Sequence, residues 1–352
     1  MINIIGPINQ LGYGVACLNI VKNLPDVALW PIGQIQVTNE YDAHIVRNAL
    51  SNAIMPNFNA PCIKIWHQHD MSQFVGNGIK IGFPFFELNK FSNIEKHHLK
   101  YLDKIFVSSQ WAKNVVIDQV SKNNEDVIVI PLGVDIDIFK PSEESNNKNT
   151  IFFNCGKWEI RKGHDILISA FNHAFEQDDK VELWMMCENP FLNESQTNEW
   201  HHKYKSSKLG NKIKFISRTQ TQDEVYNIMA QTDCGVFPSR AEGWNLELLE
   251  MMACGKHVIT TNYSAHTEFC SKDNANLIDI TKEEMAYDGI WFNGKVGQWA
   301  NLDEPQIEQL VFFMRKIHEQ KSSNNLSINN AGIQTANKYT WQNSAKEIIN
   351  NV

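Results

Sequence analysis

The sequence predicts an α/β protein built from two doubly wound domains facing a cleft. Three observations predict it. Short apolar runs alternate with amphipathic stretches, a polar segment without periodicity interrupts the series, and 352 residues exceed what one core usually fills.

The first series opens with Ile2-Asn3-Ile4-Ile5 as a strand, then a loop holding Gly12 and Gly14, then a helix to Leu24. Residues 63–66, 105–108 and 127–130 read as further strands, and 110–120 has helical spacing. Pro131 to Asp135 breaks the pattern, and Pro141 to Asn149, polar throughout, reads as a linker. The boundary is therefore set at 145/146, with one domain over 1–145 and a second over 146–339. The second series begins with a strand over 150–155, a loop over 156–163 and a helix over 165–176. Strands over 181–187, 213–216, 235–238 and 257–261 follow, with a helix over 222–231 among them. Open sheets of this kind bind ligands beyond the carboxyl ends of their strands, so the loops after strands are the places to search.

Composition narrows the function. The chain is 43% hydrophobic and 20% charged with a formal charge of −8, an ordinary folded composition with no basic footprint for nucleic acid. Both halves are acidic, 11 basic against 14 acidic residues before position 146 and 21 against 26 after it. The seven cysteines are scattered and never spaced C-x-x-C, which argues against a disulfide framework or a structural zinc site. No apolar run approaches the ~20 residues of a membrane span, and the start lacks a basic leader, so a cytoplasmic setting is expected. Peripheral contact with the inner face of a membrane stays open through Lys96-His97-His98-Leu99-Lys100-Tyr101, although a plain solvated helix face is the better reading of that stretch.

The most informative stretch runs from Phe237 to Gly255. A strand ends, a loop carries Glu242-Gly243, and a helix begins near Asn245 with Leu246, Leu249 and Ala253 on one stripe. Backbone N–H groups of Gly243, Trp244, Asn245 and Leu246 at a helix start form an anion site, aided by the helix dipole. Glu250 lies inside the helix, where its carboxylate can accept both hydroxyls of a ribose, and Glu242 sits in the loop eight positions earlier. Two glutamates at a helix start also occur simply as dipole partners. In the loop from Cys155 to His164, Lys157, Arg161 and Lys162 can supply positive charge to a departing diphosphate, or can form a solvated basic turn. Gly12-Tyr13-Gly14 after the first strand permits close backbone approach, and Trp66-His67-Gln68-His69-Asp70 follows another. Two histidines two positions apart suggest a metal, but no third ligand accompanies them.

Glu242-Gly243-Trp244-Asn245 followed by Glu250-Met251-Met252-Ala253-Cys254-Gly255 resembles the E-x7-E signature of retaining family-four glycosyltransferases of GT-B fold. Trp244 and Asn245 stand where an aromatic-glycine pair is usual, and His257 replaces a proline. The loop Gly156-Lys157 to Lys162-Gly163 resembles the family's G-R-x-x-x-x-K-G element, with Lys157 in place of arginine and Arg161 as a substitute for that role. The resemblance implies that Glu242 contacts the donor sugar, Glu250 its ribose, and Lys157 and Lys162 its phosphates. It implies that Gly14 touches the phosphate from the other domain, and that His67 lines the sugar, with His69 as the alternative register. Phe85-Phe86-Glu87 resembles an acceptor-domain pattern, which implies an acceptor-side Glu87; a structural salt bridge remains the alternative. Pro131 to Asp135 resembles the entry to the family's linker, and a last helix within 340–352 is expected to return to the first domain.

The expected activity is transfer of a hexosyl unit from a UDP- or GDP-linked donor to a glycan, lipid-linked or other acceptor, with retention and without a metal or other cofactor. A nucleotide-sugar-binding subunit lacking turnover is the rival reading. A nicotinamide-dependent dehydrogenase is disfavoured because Gly12-Tyr13-Gly14-Val15-Ala16-Cys17 lacks the third glycine.

Overall fold

The computed structural model describes residues 1–142 and 147–352; Glu143, Glu144, Ser145 and Asn146 of the expected linker lie outside the described residues. The chain separates into two compact units, Met1–Gly133 with Tyr339–Val352, and Val134–Lys338.

The first unit holds a six-stranded parallel sheet. Its strands are β1 (Ile2–Gly6), β2 (Val27–Pro31), β3 (Cys62–Lys64), β4 (Lys80–Gly82), β5 (Lys104–Val107) and β6 (Val127–Val129). They run in the order β2-β1-β3-β4-β5-β6. In register, Ile4 pairs with Leu29 on one side and Ile63 on the other. Helices cover such a sheet on both faces, so its central strands read as nearly continuous apolar runs. The spacing predicts neither β2 nor β4: each is a short run whose strand character comes from its neighbours. The helix Gln110–Val120 forms where expected because Ser109 accepts the Ala112 N–H at its start and Ser121 closes it in the left-handed region, φ 59°.

One local expectation is corrected. Gly12 and Gly14 are not loop residues; the helix Gly12–Asn23 begins with them. Gly14 is glycine because the preceding loop folds back on that first turn. A Cβ there would lie 2.3 Å from Asn9 Oδ1 and 2.4 Å from its carbonyl oxygen.

The second unit repeats the architecture with β7 (Thr150–Gly156), β8 (Val181–Cys187), β9 (Ile213–Phe215), β10 (Cys234–Phe237), β11 (His257–Thr261) and β12 (Asn276–Ile278). Their order is β12-β11-β10-β7-β8-β9, again parallel. An antiparallel hairpin, β13 (Glu283–Tyr287) and β14 (Asn293–Ala300), follows the last strand. Phe152, Phe171 and Phe175 stack through the core between this sheet and its helices, so truncating any of them costs about 3–5 kcal/mol. The last helix, Trp341–Asn351, belongs to the first unit, where Ser344 donates to the Pro131 carbonyl and Lys104 Nζ to that of Asn351.

Strand order positions the loops. In each sheet the chain builds outward and then returns to the far side of its first strand. Neighbouring strands at that switch send their connections to opposite faces and open a crevice at their carboxyl ends. The switch lies between β1 and β3 in the first unit and between β7 and β10 in the second.

Candidate functional site

At the second switch, β10 lies beside β7, so the loop after each strand meets the other. The meeting is backbone against backbone. Gly163 has φ +73°, and a Cβ on it would fall 2.0 Å from the Pro238 carbonyl oxygen. Arg240 N–H donates to the Arg161 carbonyl at 2.7 Å, and Arg240 then grips Asp165 with two guanidinium bonds of 2.9 Å. The two segments separated in sequence thereby become one rigid floor.

Five charged side chains sit on this floor in alternating sign. Lys157 pairs with Glu159 at 2.9 Å, Glu159 with Arg161 at 2.7 Å, Arg161 with Glu242 at 2.8 Å, and Glu242 with Lys162 at 2.9 Å. All but Lys157 are buried. Glu242 Oε1 also accepts the Ser239 hydroxyl, and its backbone N–H is held by Ser264 Oγ. Burial by itself raises the Glu242 carboxyl, but Lys162 and Arg161 outweigh it and hold the group well below the ordinary carboxylate range. For Lys162, burial opposes the charge while Glu242 and Glu247 favour it, and the net shift is upward. Both groups are therefore charged at neutral pH. The Lys162 stem lies in ordinary contact, 3.5 Å from where a Cβ on Gly156 would stand, and it is the φ of +146° that favours glycine there.

The structure thus brings Lys157, Arg161, Lys162 and Glu242 together and adds partners that spacing did not single out: Glu159, Ser239, Ser264 and His266. Glu159 had a legible signal, lying two positions from both Lys157 and Arg161. Ser239 lies three positions before Glu242 in the same loop, and Ser264 and His266 come from the segment after β11 and carry no signal.

Beyond Glu242 and Gly243, Asn245 caps the helix Leu246–Ala253 in a left-handed conformation, φ 91°. Its Oδ1 accepts the Leu248 N–H and its Nδ2 donates to His266 Nε2. That bond makes Nε2 the acceptor, so the proton is on Nδ1, which donates to the Thr261 carbonyl at 3.1 Å. Burial holds His266 neutral, its pKa lowered to about 4. The Trp244 indole packs inward on Phe269, ring centres 4.7 Å apart. Leu246 is half-buried. Glu250 is buried on the same helix, and burial followed by the nearby Glu247 pushes its carboxyl well above the ordinary range.

In the first unit, the helix start and the β3 loop meet at the other switch. Tyr13 rests on Trp66, His67 and Phe85, with ring centres 5.7, 4.8 and 4.7 Å away, and its hydroxyl donates to the Phe85 carbonyl. His67 stacks on exposed His69 at 5.3 Å, and Glu87 lies close enough to Tyr13 to raise its phenol, after burial. Gly14, His67, His69 and Glu87 thus gather around Tyr13, a residue for which the sequence offered no signal beyond lying between two glycines.

A cavity of about 470 Å³ opens at the amino ends of the second sheet's strands, away from these loops. Two of the lysines that line it serve the fold: Lys256 donates to the carbonyl of Ala230 at a helix end, and Lys321 to Asp233 and the Asn149 carbonyl. Among the described residues no group of three or more His, Cys, Asp or Glu is arranged to hold a metal, and no helix is long and apolar enough to cross a membrane.

Residues 135–290 match the family model described as "Glycosyl transferases group 1". An uncharacterized glycosyltransferase of Methanocaldococcus jannaschii is 28% identical over 62% of this chain and 60% of its own. A GDP-mannose-dependent phosphatidylinositol dimannoside mannosyltransferase of Mycobacterium tuberculosis is 22% identical over 48% of this chain and 44% of its own. The chain therefore spans roughly half the length of these relatives. Among solved structures, Anabaena HepE in complex with UDP-glucose superimposes with a TM-score of 0.71 at 15% identity, covering 100% of this chain and 99% of that one. The sucrose-phosphate synthase of Thermosynechococcus elongatus does so with 0.69, covering 99% and 97%. The fold is GT-B, two Rossmann-like units each with a parallel sheet.

Proposed function

We propose that this protein is a retaining glycosyltransferase that moves a hexosyl unit from a UDP- or GDP-linked donor to a glycan, lipid-linked or other acceptor. One observation carries the reading: a buried lysine, Lys162, held charged by Glu242 at a strand-end crevice, with Glu250 on the adjoining helix. Lys162 keeps N–H groups beyond the one given to Glu242, and Lys157 stands half-exposed beside it. Cations fixed before the reaction stabilise charge that grows on a departing diphosphate without reorganising. Glu250 accepts the ribose hydroxyls, and backbone N–H groups of Gly243 to Leu246 face the donor. The C1–O bond to the diphosphate breaks, the acceptor oxygen bonds to C1 on the same face, and its proton passes to the departing diphosphate oxygen. Glu242 orients Lys162 and offers its remaining lone pair to a sugar hydroxyl. His67 and Gly14 are assigned to the donor and Glu87 and His69 to the acceptor. The match to a UDP-glucose complex and to a GDP-mannose-dependent relative supports the donor class. No metal is required, so chelation is expected to leave the rate unchanged. Seven free cysteines suit a reducing compartment, and the cytoplasm, with or without peripheral membrane contact, is the proposed setting.

A binding subunit without turnover has one observation in its favour: both Glu242 oxygens are already held by Ser239, Lys162 and Arg161. Thermal shift against UDP- and GDP-sugars tests both readings. A ligand at 100 times its Kd stabilises by about 2.7 kcal/mol, a shift that Lys162→Ala and Glu250→Ala should remove. Binding without donor hydrolysis or transfer selects the silent subunit, and no binding by either donor class overturns the reading.

A further inference from the structure

The β13–β14 hairpin is bolted to the site at one end and ends in an exposed aromatic corner at the other. At its base, the Ala300 N–H donates to the Arg240 carbonyl, and Glu284 accepts from Arg240 Nε at 3.2 Å, Trp299 Nε1 at 3.1 Å and Asn301 Nδ2 at 2.8 Å. Arg240 lies in the loop that carries Glu242, so the hairpin and that carboxylate share one frame. At the tip, Asp288 Oδ1 accepts the N–H groups of Ile290, Trp291 and Phe292 at 2.8–2.9 Å, and Gly289 takes φ +76° to close the turn. Three backbone donors on one carboxylate fix the tip's conformation without burying it.

What the tip presents is apolar. Tyr287 is 63% exposed, Ile290 50% and Trp291 48%. Trp291 meets Phe191, itself 55% exposed, at 5.9 Å and 81°. Phe191 follows β8, whereas the hairpin is anchored after β10, so the hairpin reaches past the end of β7, two strand spacings or roughly 10 Å. Lys157, assigned above to the diphosphate, lies over the Phe191 ring at 5.4 Å. A rigid turn that holds large aromatic rings in water beside the reacting groups does not serve stability, since it forfeits their burial.

We infer that the Phe191–Trp291 corner receives a saccharide ring of the acceptor, so that the acceptor is a glycan or carries its glycan next to the attacking hydroxyl. This rests on the glycosyltransferase reading. A nucleobase is flat and stacks in a slot between parallel planes, whereas these two rings are nearly perpendicular. A pyranose is puckered: its axial C–H bonds lie on one aromatic face and its exocyclic carbon turns toward the second, leaving the hydroxyls free. The corner's own surroundings match, since Tyr287 and Ile290 extend the apolar surface along the hairpin for a second ring.

The experiment measures transfer from the preferred UDP- or GDP-sugar to methyl glycosides and to trisaccharides. Trp291→Ala is expected to raise the acceptor KM by about tenfold or more with the donor KM held, Phe191→Ala to do the same, and Trp291→Phe to recover most of the loss. A raised donor KM in Trp291→Ala would make the corner a base site and overturn the inference. Unmoved acceptor and donor KM values would overturn it as well. If wild-type protein neither binds nor turns over either donor class, the functional reading fails separately. The corner is then tested by 19F spectra of protein carrying 5-fluorotryptophan, with Trp291→Phe identifying the resonance. A shift of that resonance on adding trisaccharide sustains the corner as a saccharide site, and no shift refutes it.

Discussion

Arg161 and Glu242 stand 81 positions apart in the chain, and their side chains meet at 2.8 Å in the protein interior. The same guanidinium spans to Glu159 at 2.7 Å and donates to the Ala241 carbonyl, so one arginine ties both loops of the site together.

Removing that arginine leaves two buried carboxylates short of a cation. Arg161→Ala is expected to cost about 3–5 kcal/mol, read as a lower urea midpoint at constant slope. Arg161→Lys should recover only part, because an ammonium cannot fork to two carboxylates and a carbonyl as the planar group does. A loss below about 1 kcal/mol in Arg161→Ala would show that the two loops are held by backbone contacts alone.

Glu250 predicts a conflict between stability and function. Its folded pKa is raised by burial, then by Glu247, so the native state holds a proton that the unfolded chain releases above about pH 4.5. Stability is full below that value and is lost as pH rises through the folded pKa. Glu250→Gln removes the titration and is expected to raise Tm at neutral pH while losing the donor-induced shift. A lower Tm at pH 7.5 would contradict this.

Buried histidines act in the opposite sense. His164 is lowered to about 3 by burial and then Lys162, and His266 to about 4 by burial, so both are neutral when folded and protonated when unfolded below about pH 6.5. The unfolded chain then binds more protons, and stability falls as pH drops from 6.5 toward 4. Each histidine contributes up to about 1.4 kcal/mol per pH unit, and Glu250, raised by burial and then Glu247, acts in the opposite direction above about pH 4.5. Glu250→Gln should therefore steepen the acid loss between pH 4.5 and 6.5. Denaturation series across that range in both proteins check it, and equal slopes would remove Glu250 from the balance.

Asn245 holds a left-handed backbone and caps the following helix. Asn245→Gly keeps the conformation open but loses the cap and the bond to His266, and is expected to cost about 1–2 kcal/mol, less than the alanine variant. Asn245→Ala loses the same bonds and also strains the backbone, for about 1–2 kcal/mol more. Thermal melts rank the pair, and an alanine variant as stable as the glycine one would mean the left-handed turn relaxes without cost.

Sequence by itself determined nine of the described strands, the class of fold and the charged loops, but not β2, β4, β12 or the hairpin. Apolar runs of strand length, helix caps such as Ser109 and the glycine after Ala253-Cys254 are local signals, and local chemistry sets them. It also placed Glu242, Glu250, Lys157 and Lys162 in loops and a helix at strand ends. Tertiary structure decided what those residues do for one another. Glu159 enters the site because β10 returns to the side of β7, and Ser264 and His266 enter because β11 lies beside β10, long-range pairings that no spacing along the chain encodes. The start of the helix at Gly12 and the hairpin that carries Trp291 were decided the same way. Gly14 is fixed by the approach of Asn9, and the hairpin by Arg240, whose side chain reaches Ile160, Asp165 and Glu284. Pattern reports which residues a segment must bury or expose; only the folded packing reports which neighbour a charge will find, because that depends on distance across the chain rather than along it.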